Sequence, residues 1–211
     1  MILHGYWRSG TSYRTRIALN LKGVAYEQAA VDLRTGAQRS EAFLALNPQG
    51  LVPALKTDDG QVLTQSPAIL EWLEEVHPDP PLLPKTAADR AIVRAMAATI
   101  ACDIHPLNNL RVLKAVRELG AETEGPGGWA ARWIGAGFAA LETLIARHGA
   151  GFAFGERPTL ADCHLVPQVY SAERFGVDLA PYPHLMAAVD TARGHPAFTA
   201  AHPDRQPDAD A

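Results

Sequence analysis

Cysteine is scarce in this sequence, basic charge is not in excess, and no apolar run is long. Cys102 and Cys163 are the only two cysteines in 211 residues. Both fall within apolar helical patterns, so buried, reduced thiols are expected rather than a disulfide. Lys and Arg number 19 against 23 Asp and Glu, a formal charge of −4. That balance speaks against nucleic acid, whose partners carry a basic patch or stripe. No segment approaches the ~18 uninterrupted apolar residues of a membrane span. The opening stretch Met1–Arg8 lacks the charged lead and longer apolar run of a secretory signal, so a cytoplasmic protein is expected. The eight histidines are scattered, with no HxxxH or CxxC arrangement, and no metal site is expected. Gly125-Pro126-Gly127-Gly128 has neither the lysine nor the preceding strand of a phosphate-binding loop. There is no internal repeat.

The sequence does contain ample core material, with 47% hydrophobic and 20% charged residues. Ile2–Tyr6 reads as a strand, followed by a polar turn and a helix through Lys22, with Gly23 as its stop. Val24–Val31 reads as a second strand and Arg39–Leu46 as a short helix. Leu51–Lys56 is strand-like despite Pro53, which has no N–H for a ladder and so implies an edge, a bulge or a cis bond. Asp58-Asp59-Gly60 is a hairpin turn leading to Gln61–Leu63. Ser66 as N-cap and Pro67 at the first helical position then open a helix that stops before Pro78. The order is βαβαββα.

His77–Pro84 holds four prolines in eight residues and cannot be helix or central strand. This predicts a first domain over residues 1–80, a linker over 81–85 and an all-helical second domain over 86–211. In the second domain, Thr86-Ala87-Ala88-Asp89 opens a long helix that Pro106 kinks. Trp129–His148 forms another, closed by Gly149. Thr159-Leu160-Ala161-Asp162 caps a third, and a fourth lies around His184–Thr191. Pro203–Ala211 is polar and expected to fray.

Three polar clusters sit at element ends. Arg8-Ser9-Gly10-Thr11-Ser12 precedes the first helix, whose N-terminus offers free N–H groups and partial positive charge, a setting that suits a thiolate. Gln65-Ser66-Pro67 marks a second helix N-terminus. Leu51-Val52-Pro53 offers backbone groups that could pair with an extended peptide. Each cluster taken alone also has a plain structural reading, as a cap or an edge.

Taken in order, the clusters resemble the glutathione transferase superfamily over nearly the whole chain, and within it the zeta class of maleylacetoacetate and bacterial maleylpyruvate isomerases. The matching strings are Tyr6–Leu19, Ala45–Gln49 with Val52–Leu55, Gln65–Ile69, Ile104–Asn109 and Thr159–Asp162. The Val-Pro and Gln-Ser pairs are shared by many transferase classes; the first and fourth strings are more specific to zeta. Ser9-Gly10-Thr11 stands where the class usually carries Ser-Ser-Cys, so a protein thiol is missing and Thr11 can offer only a hydroxyl.

The resemblance implies an α/β thioredoxin-like first domain, a helical substrate-pocket domain, glutathione as cofactor and a homodimer. It implies that Ser9 hydrogen-bonds the glutathione sulfur and that Val52 pairs with the cysteinyl backbone through its N–H and C=O, with Pro53 in cis. It assigns Gln65 and Ser66 to the γ-glutamyl carboxylate, and Gln38, Gln49, His105 and Asn109 as further contacts to the tripeptide's ends. Arg8, Arg111 and Arg174 match positions that face the substrate, a small dicarboxylate, which guanidinium groups bind bidentately. The implied reaction is thiolate addition to a cis double bond, rotation, and elimination to the trans product, a step of aromatic and tyrosine catabolism. A general transferase or α-haloacid dehalogenase is the alternative, and a non-catalytic glutathione-binding regulatory protein is a third reading.

Overall fold

The computed structural model describes residues 1–209. The chain divides into two compact units, Met1–Pro81 together with the residues from His195 onward, and Leu82–Gly194. The first break falls between residues 81 and 82, inside the expected linker, and a second, at residue 195, falls inside the expected second domain. The terminal residues pack with the first unit.

In the first unit, β1 (Ile2–Gly5) pairs in parallel with β2 (Glu27–Ala30) and antiparallel with β3 (Ala54–Lys56). β4 (Val62–Thr64) completes a mixed sheet of order β2-β1-β3-β4. The parallel pair is joined by α1 (Gly10–Leu21), as a parallel crossover requires. β2 is shorter than the sequence suggests, because residues 23 and 24 are used to close α1. Gly23 takes φ +65° and the Val24 N–H bonds back to the Leu19 carbonyl, a Schellman closure. α2 (Glu41–Leu46), capped by Ser40, sets Phe43 against Val31 and Ala54. α3 (Ser66–Val76) buries Ile69, Leu70 and Leu73. The expected βαβαββα order is present and the fold is thioredoxin-like.

The second unit is helical. α4 (Ala87–Ala98) runs into a π-helical stretch, Thr99–Ile104, and a 3-10 turn, His105–Asn108. The expected kink at Pro106 is thus a full break, and α5 (Leu110–Glu118) starts anew under an Asn109 cap. α6 (Trp129–His148) buries Ala130, Ile134, Phe138, Leu141 and Ile145, one face at helical spacing. Cβ placed on Gly137 of α6 would lie 2.3 Å from Cδ1 of the buried Ile104, so only glycine lets these segments meet. α7 (Leu160–Arg174) is buried along most of its length, and α8 (Pro183–Arg193) covers it with Leu185, Val189 and Ala192. Cys163 is buried as expected, but Cys102 is exposed, because the π-helical stretch rotates it off the core face. Neither is in a disulfide. Among the described residues, no helix is long and apolar enough to cross a membrane.

α9 (Pro196–Ala201) belongs to the first unit and packs along α1, with the Asn20 amide donating to the Ala197 carbonyl. A 3-10 turn, Pro203–Arg205, follows. The expected fraying is thus contradicted for residues 203–209, and the last two residues of that expectation lie outside the described residues.

Asp162 closes the cap of α7. Its fully buried carboxylate accepts from the Ala153 N–H and Thr159 N–H at 2.8 Å each and from the Thr159 hydroxyl at 2.9 Å. Burial pushes its pKa up to about 6, against the pull of those donors. Native Asp162 therefore binds a proton that the unfolded chain has lost above about pH 4. Its contribution to stability is full below that point and declines as pH rises through 6. In Asp162→Asn this decline should vanish from a plot of urea midpoint against pH. Asp162→Ala should cost about 2 kcal/mol or more, since it removes the cap and orphans buried donors.

Candidate functional site

The turn between β1 and α1 is held at several backbone atoms. The Ser9 N–H bonds to the Tyr6 carbonyl at 3.0 Å, and the Tyr6 N–H reaches Oγ of Ser12 at 3.3 Å. Ser9 is the N-cap of α1, its Oγ accepting from the Ser12 N–H at 3.3 Å. Two further hydrogen bonds order the hydroxyls. Thr11 Oγ1 donates to the Val52 carbonyl at 2.9 Å, and Ser9 Oγ lies 2.9 Å from Thr11 Oγ1. A carbonyl only accepts and Thr11 has one proton, so Ser9 must be the donor to Thr11. Ser9, Thr11 and Val52, expected at one site from two separate strings, thus form one chain of hydrogen bonds. The Val52–Pro53 bond is cis.

This geometry refines two expected roles. Thr11 spends its proton on a backbone carbonyl and orients Ser9; it does not point a hydrogen at a ligand. The Val52 carbonyl already has one donor and retains its second lone pair for another.

The second cluster forms at the start of α3. Ser66 is the first residue of the helix rather than its cap; Gln65 holds the cap position with φ +66° and no capping side-chain bond. A left-handed glutamine is strained, and such outliers concentrate at ligand sites. Its Nε2 donates to Gln49 Oε1 at 2.7 Å, joining two of the expected residues. Ser66 Oγ accepts from Nη1 of Arg14 at 3.3 Å, which leaves the Ser66 proton for another acceptor. Arg14 is only 2% exposed and brings a positive charge beneath this helix N-terminus.

The loop ahead of Val52 is built by Asn47, whose amide donates to the Leu51 carbonyl at 2.6 Å and accepts from the Gln49 N–H at 3.1 Å. Gln38 lies beside this loop. Cβ on Gly50 would stand 3.0 Å from the Gln38 carbonyl, and Gly50 has φ +62°. Gln38 Oε1 is buried without a hydrogen-bond partner among the described residues, an acceptor that a ligand's N–H can satisfy.

Arg8 of the first unit is half-buried, its guanidinium carbon 5.2 Å from the centre of the Trp7 ring. The remaining expected residues lie in the second unit. His105 begins the 3-10 turn, and Asn109 spends its side-chain oxygen on the Arg111 N–H at 3.2 Å as the cap of α5. Arg111 is exposed in the first turn of α5, and Arg174 is exposed at the end of α7, its guanidinium carbon 6.0 Å from the Tyr170 ring centre. Among the described residues, no group of three or more His, Cys, Asp or Glu could hold a metal ion.

Sequence reasoning missed Arg14, Arg16, Asn47 and Asp208 as builders of this region. An arginine on the inner face of a helix is a readable signal for the first two. No local pattern announces Asp208.

A four-stranded mixed sheet with a hydroxyl-bearing turn at its first helix and a cis-proline loop beside it, followed by a helical unit, defines a thiol-peptide-binding class of protein. Residues 8–76 match the family description "Glutathione S-transferase, N-terminal domain" and residues 128–199 match "Glutathione S-transferase, C-terminal domain". The chain belongs to the glutathione S-transferase family, and its likeness runs to the zeta class. It is 56% identical over 213 residues to a maleylpyruvate isomerase of Ralstonia sp, covering 99% of both chains. Among solved structures, the holo form of a zeta-class bacterial maleyl pyruvate isomerase superposes with TM-score 0.95 at 53% identity, covering both chains fully. The glutathione-bound maleylacetoacetate isomerase of Anaeromyxobacter dehalogenans superposes with TM-score 0.88 at 47% identity, covering 99% of this chain and 97% of that one.

Gly50→Ala should be destabilising by about 1–2 kcal/mol, because a Cβ meets both an unfavourable φ and the Gln38 carbonyl. Thermal unfolding of the variant measures this, and weaker binding of glutathione should accompany it.

Proposed function

We propose that the chain is a glutathione-dependent cis–trans isomerase of a maleyl diacid, maleylpyruvate or maleylacetoacetate. The observation that carries the reading is the Ser9–Thr11–Val52 hydrogen-bond chain at the N-terminus of α1. The full-length likeness to isomerases of these two substrates supports it. A homodimer and a cytoplasmic location belong to the same reading and rest on family likeness alone.

The residues present fit glutathione. The start of α3, with Gln65, Ser66 and the buried Arg14 behind them, offers donors and positive charge to a carboxylate. Val52 offers backbone groups to an extended peptide, and Gln38 Oε1 offers a buried acceptor. When bound, glutathione supplies a thiolate that adds to the cis double bond and leaves again, which frees the bond to rotate. Ser9 turns its hydroxyl from Thr11 toward the sulfur, assisted by the partial positive charge of α1, and so favours the thiolate. Thr11 holds the Ser9 hydroxyl until it turns, and the Ser12 N–H keeps the Ser9 oxygen in place in either orientation. His105 and Asn109 serve as further contacts to the peptide's ends, together with Gln49.

Arg8, Arg111 and Arg174 are assigned to the substrate. Guanidinium groups anchor two carboxylates bidentately and stabilise the negative charge that develops on the substrate's carbonyl oxygen. A hydrophobic electrophile would need no such set, which favours the diacid over conjugation or dehalogenation.

The test is to follow maleylpyruvate and maleylacetoacetate by absorbance with and without glutathione. Conversion should require glutathione without consuming it. Ser9→Ala should lower kcat by about 10²-fold, the usual loss for one charge-stabilising donor. Arg111→Ala should raise KM by about tenfold or more, as expected for a charged hydrogen bond. Thr11→Val should impair turnover while Thr11→Ser retains it. Absence of conversion of either diacid overturns the reading, and α-halo acids then become the substrates to try.

A further inference from the structure

The turn that carries Ser9 is anchored by the far end of the chain. The Trp7 N–H donates to Oδ2 of Asp208 at 2.9 Å, across 201 residues of sequence. The other oxygen, Oδ1, accepts from Nε2 of Gln28 on β2. On the opposite side of Trp7, its carbonyl accepts from Nη2 of Arg16 at 2.8 Å, while Nε of Arg16 holds the Ala201 carbonyl at 3.0 Å. Both backbone polar groups of Trp7 are therefore fixed by side chains, and Trp7 itself is 7% exposed. The Tyr6–Ser9 turn bond spans this residue, so movement of Trp7 displaces the Ser9 hydroxyl.

We propose that Asp208 is a positioning residue for the thiol-binding turn: its carboxylate clamps the Trp7 N–H and thereby sets the direction of the Ser9 hydroxyl toward the glutathione sulfur. The inference rests on the proposed role of Ser9. Asp208 touches neither sulfur nor substrate and acts only through Trp7. A carboxylate suits the task because charge-assisted hydrogen bonds to a backbone N–H are about twice as strong as neutral ones. Positioning is exacting, since displacement of a reacting group by about 1 Å costs catalysis heavily.

Two readouts separate this role from simple stabilisation. The first is hydrogen exchange at the Trp7 amide without glutathione. Asp208→Ala should lower its protection by about tenfold or more, with amides in β1 and α1 little changed. The second is the ultraviolet thiolate absorbance of bound glutathione at fixed pH. Asp208→Ala should lower the thiolate fraction about fivefold, the scale of one hydrogen bond, with glutathione affinity nearly unchanged. Asp208→Asn retains an acceptor oxygen and should restore most of both signals. Gln28→Ala, which removes the carboxylate's other donor, should shift both signals the same way by less, and serves if Asp208→Ala folds poorly. An unchanged thiolate fraction in Asp208→Ala, or a loss that Asp208→Asn does not repair, overturns the inference. If the native protein itself shows no glutathione thiolate, the reading of Ser9 fails instead, and Trp7 exchange still decides whether the clamp exists.

Discussion

The guanidinium of Arg16 has no exposed surface, and the first unit is organised around it. A buried cation costs free energy unless it is compensated, and Arg16 donates through Nη2 and Nε to the Trp7 and Ala201 carbonyls and lies against the face of Tyr13, whose ring centre is 5.5 Å away. These partners come from the β1–α1 turn, from α9 and from α1 itself. An apolar residue of similar volume could fill the space. It could not hold two carbonyls from distant segments in one geometry, and the thiol-binding turn requires that geometry.

Arg14, one half-turn away, does a related job on another side of the same helix. Its guanidinium donates to Ser66 from behind, and so brings positive charge to where α3 presents its own N-terminus. Lys22 closes the pattern at the end of α1, with Nζ 2.6 Å from Glu74 of α3 and 2.7 Å from the Pro80 carbonyl. α1 is therefore a helix whose cations point inward, each toward an element that the site needs in place. Its apolar residues Ile17, Ala18 and Leu19 supply the burial that makes this tolerable.

Much of this was legible in the sequence, and the residues show why. Short apolar runs bounded by turn residues marked the strands, and helical spacing marked the helices, because a helix buries one face. Pro53 declared an irregular strand because it lacks an N–H. Ser9, Thr11, Val52, Gln65 and Ser66 were readable from position at element ends. What stayed hidden depended on contacts between distant residues. The direction of the Thr11 proton is set by the Val52 carbonyl, 41 residues away. The ordering of the tail by Asp208 and the return of α9 to the first unit follow from partners that no local window includes. The exposure of Cys102 arose from a change of helical pitch, to which an apolar pattern is blind.

The discontinuity of the first unit has a consequence for how its site comes into being. Its sheet and first three helices come from residues before 82, yet Asp208 holds Trp7 directly and the Ala201 carbonyl holds it through Arg16. Contacts of such separation carry a large loop-closure cost and form late. The first residues can form the thioredoxin-like core without them, since strand pairing and the burial of Phe43, Ile69 and Leu73 need only neighbours within that stretch. The turn carrying Ser9 is then the last part to acquire a fixed shape. On the proposed role of Asp208, binding competence is tied to docking of the C-terminal segment, and a chain that has folded its core but not docked its end holds the right residues in an unset turn.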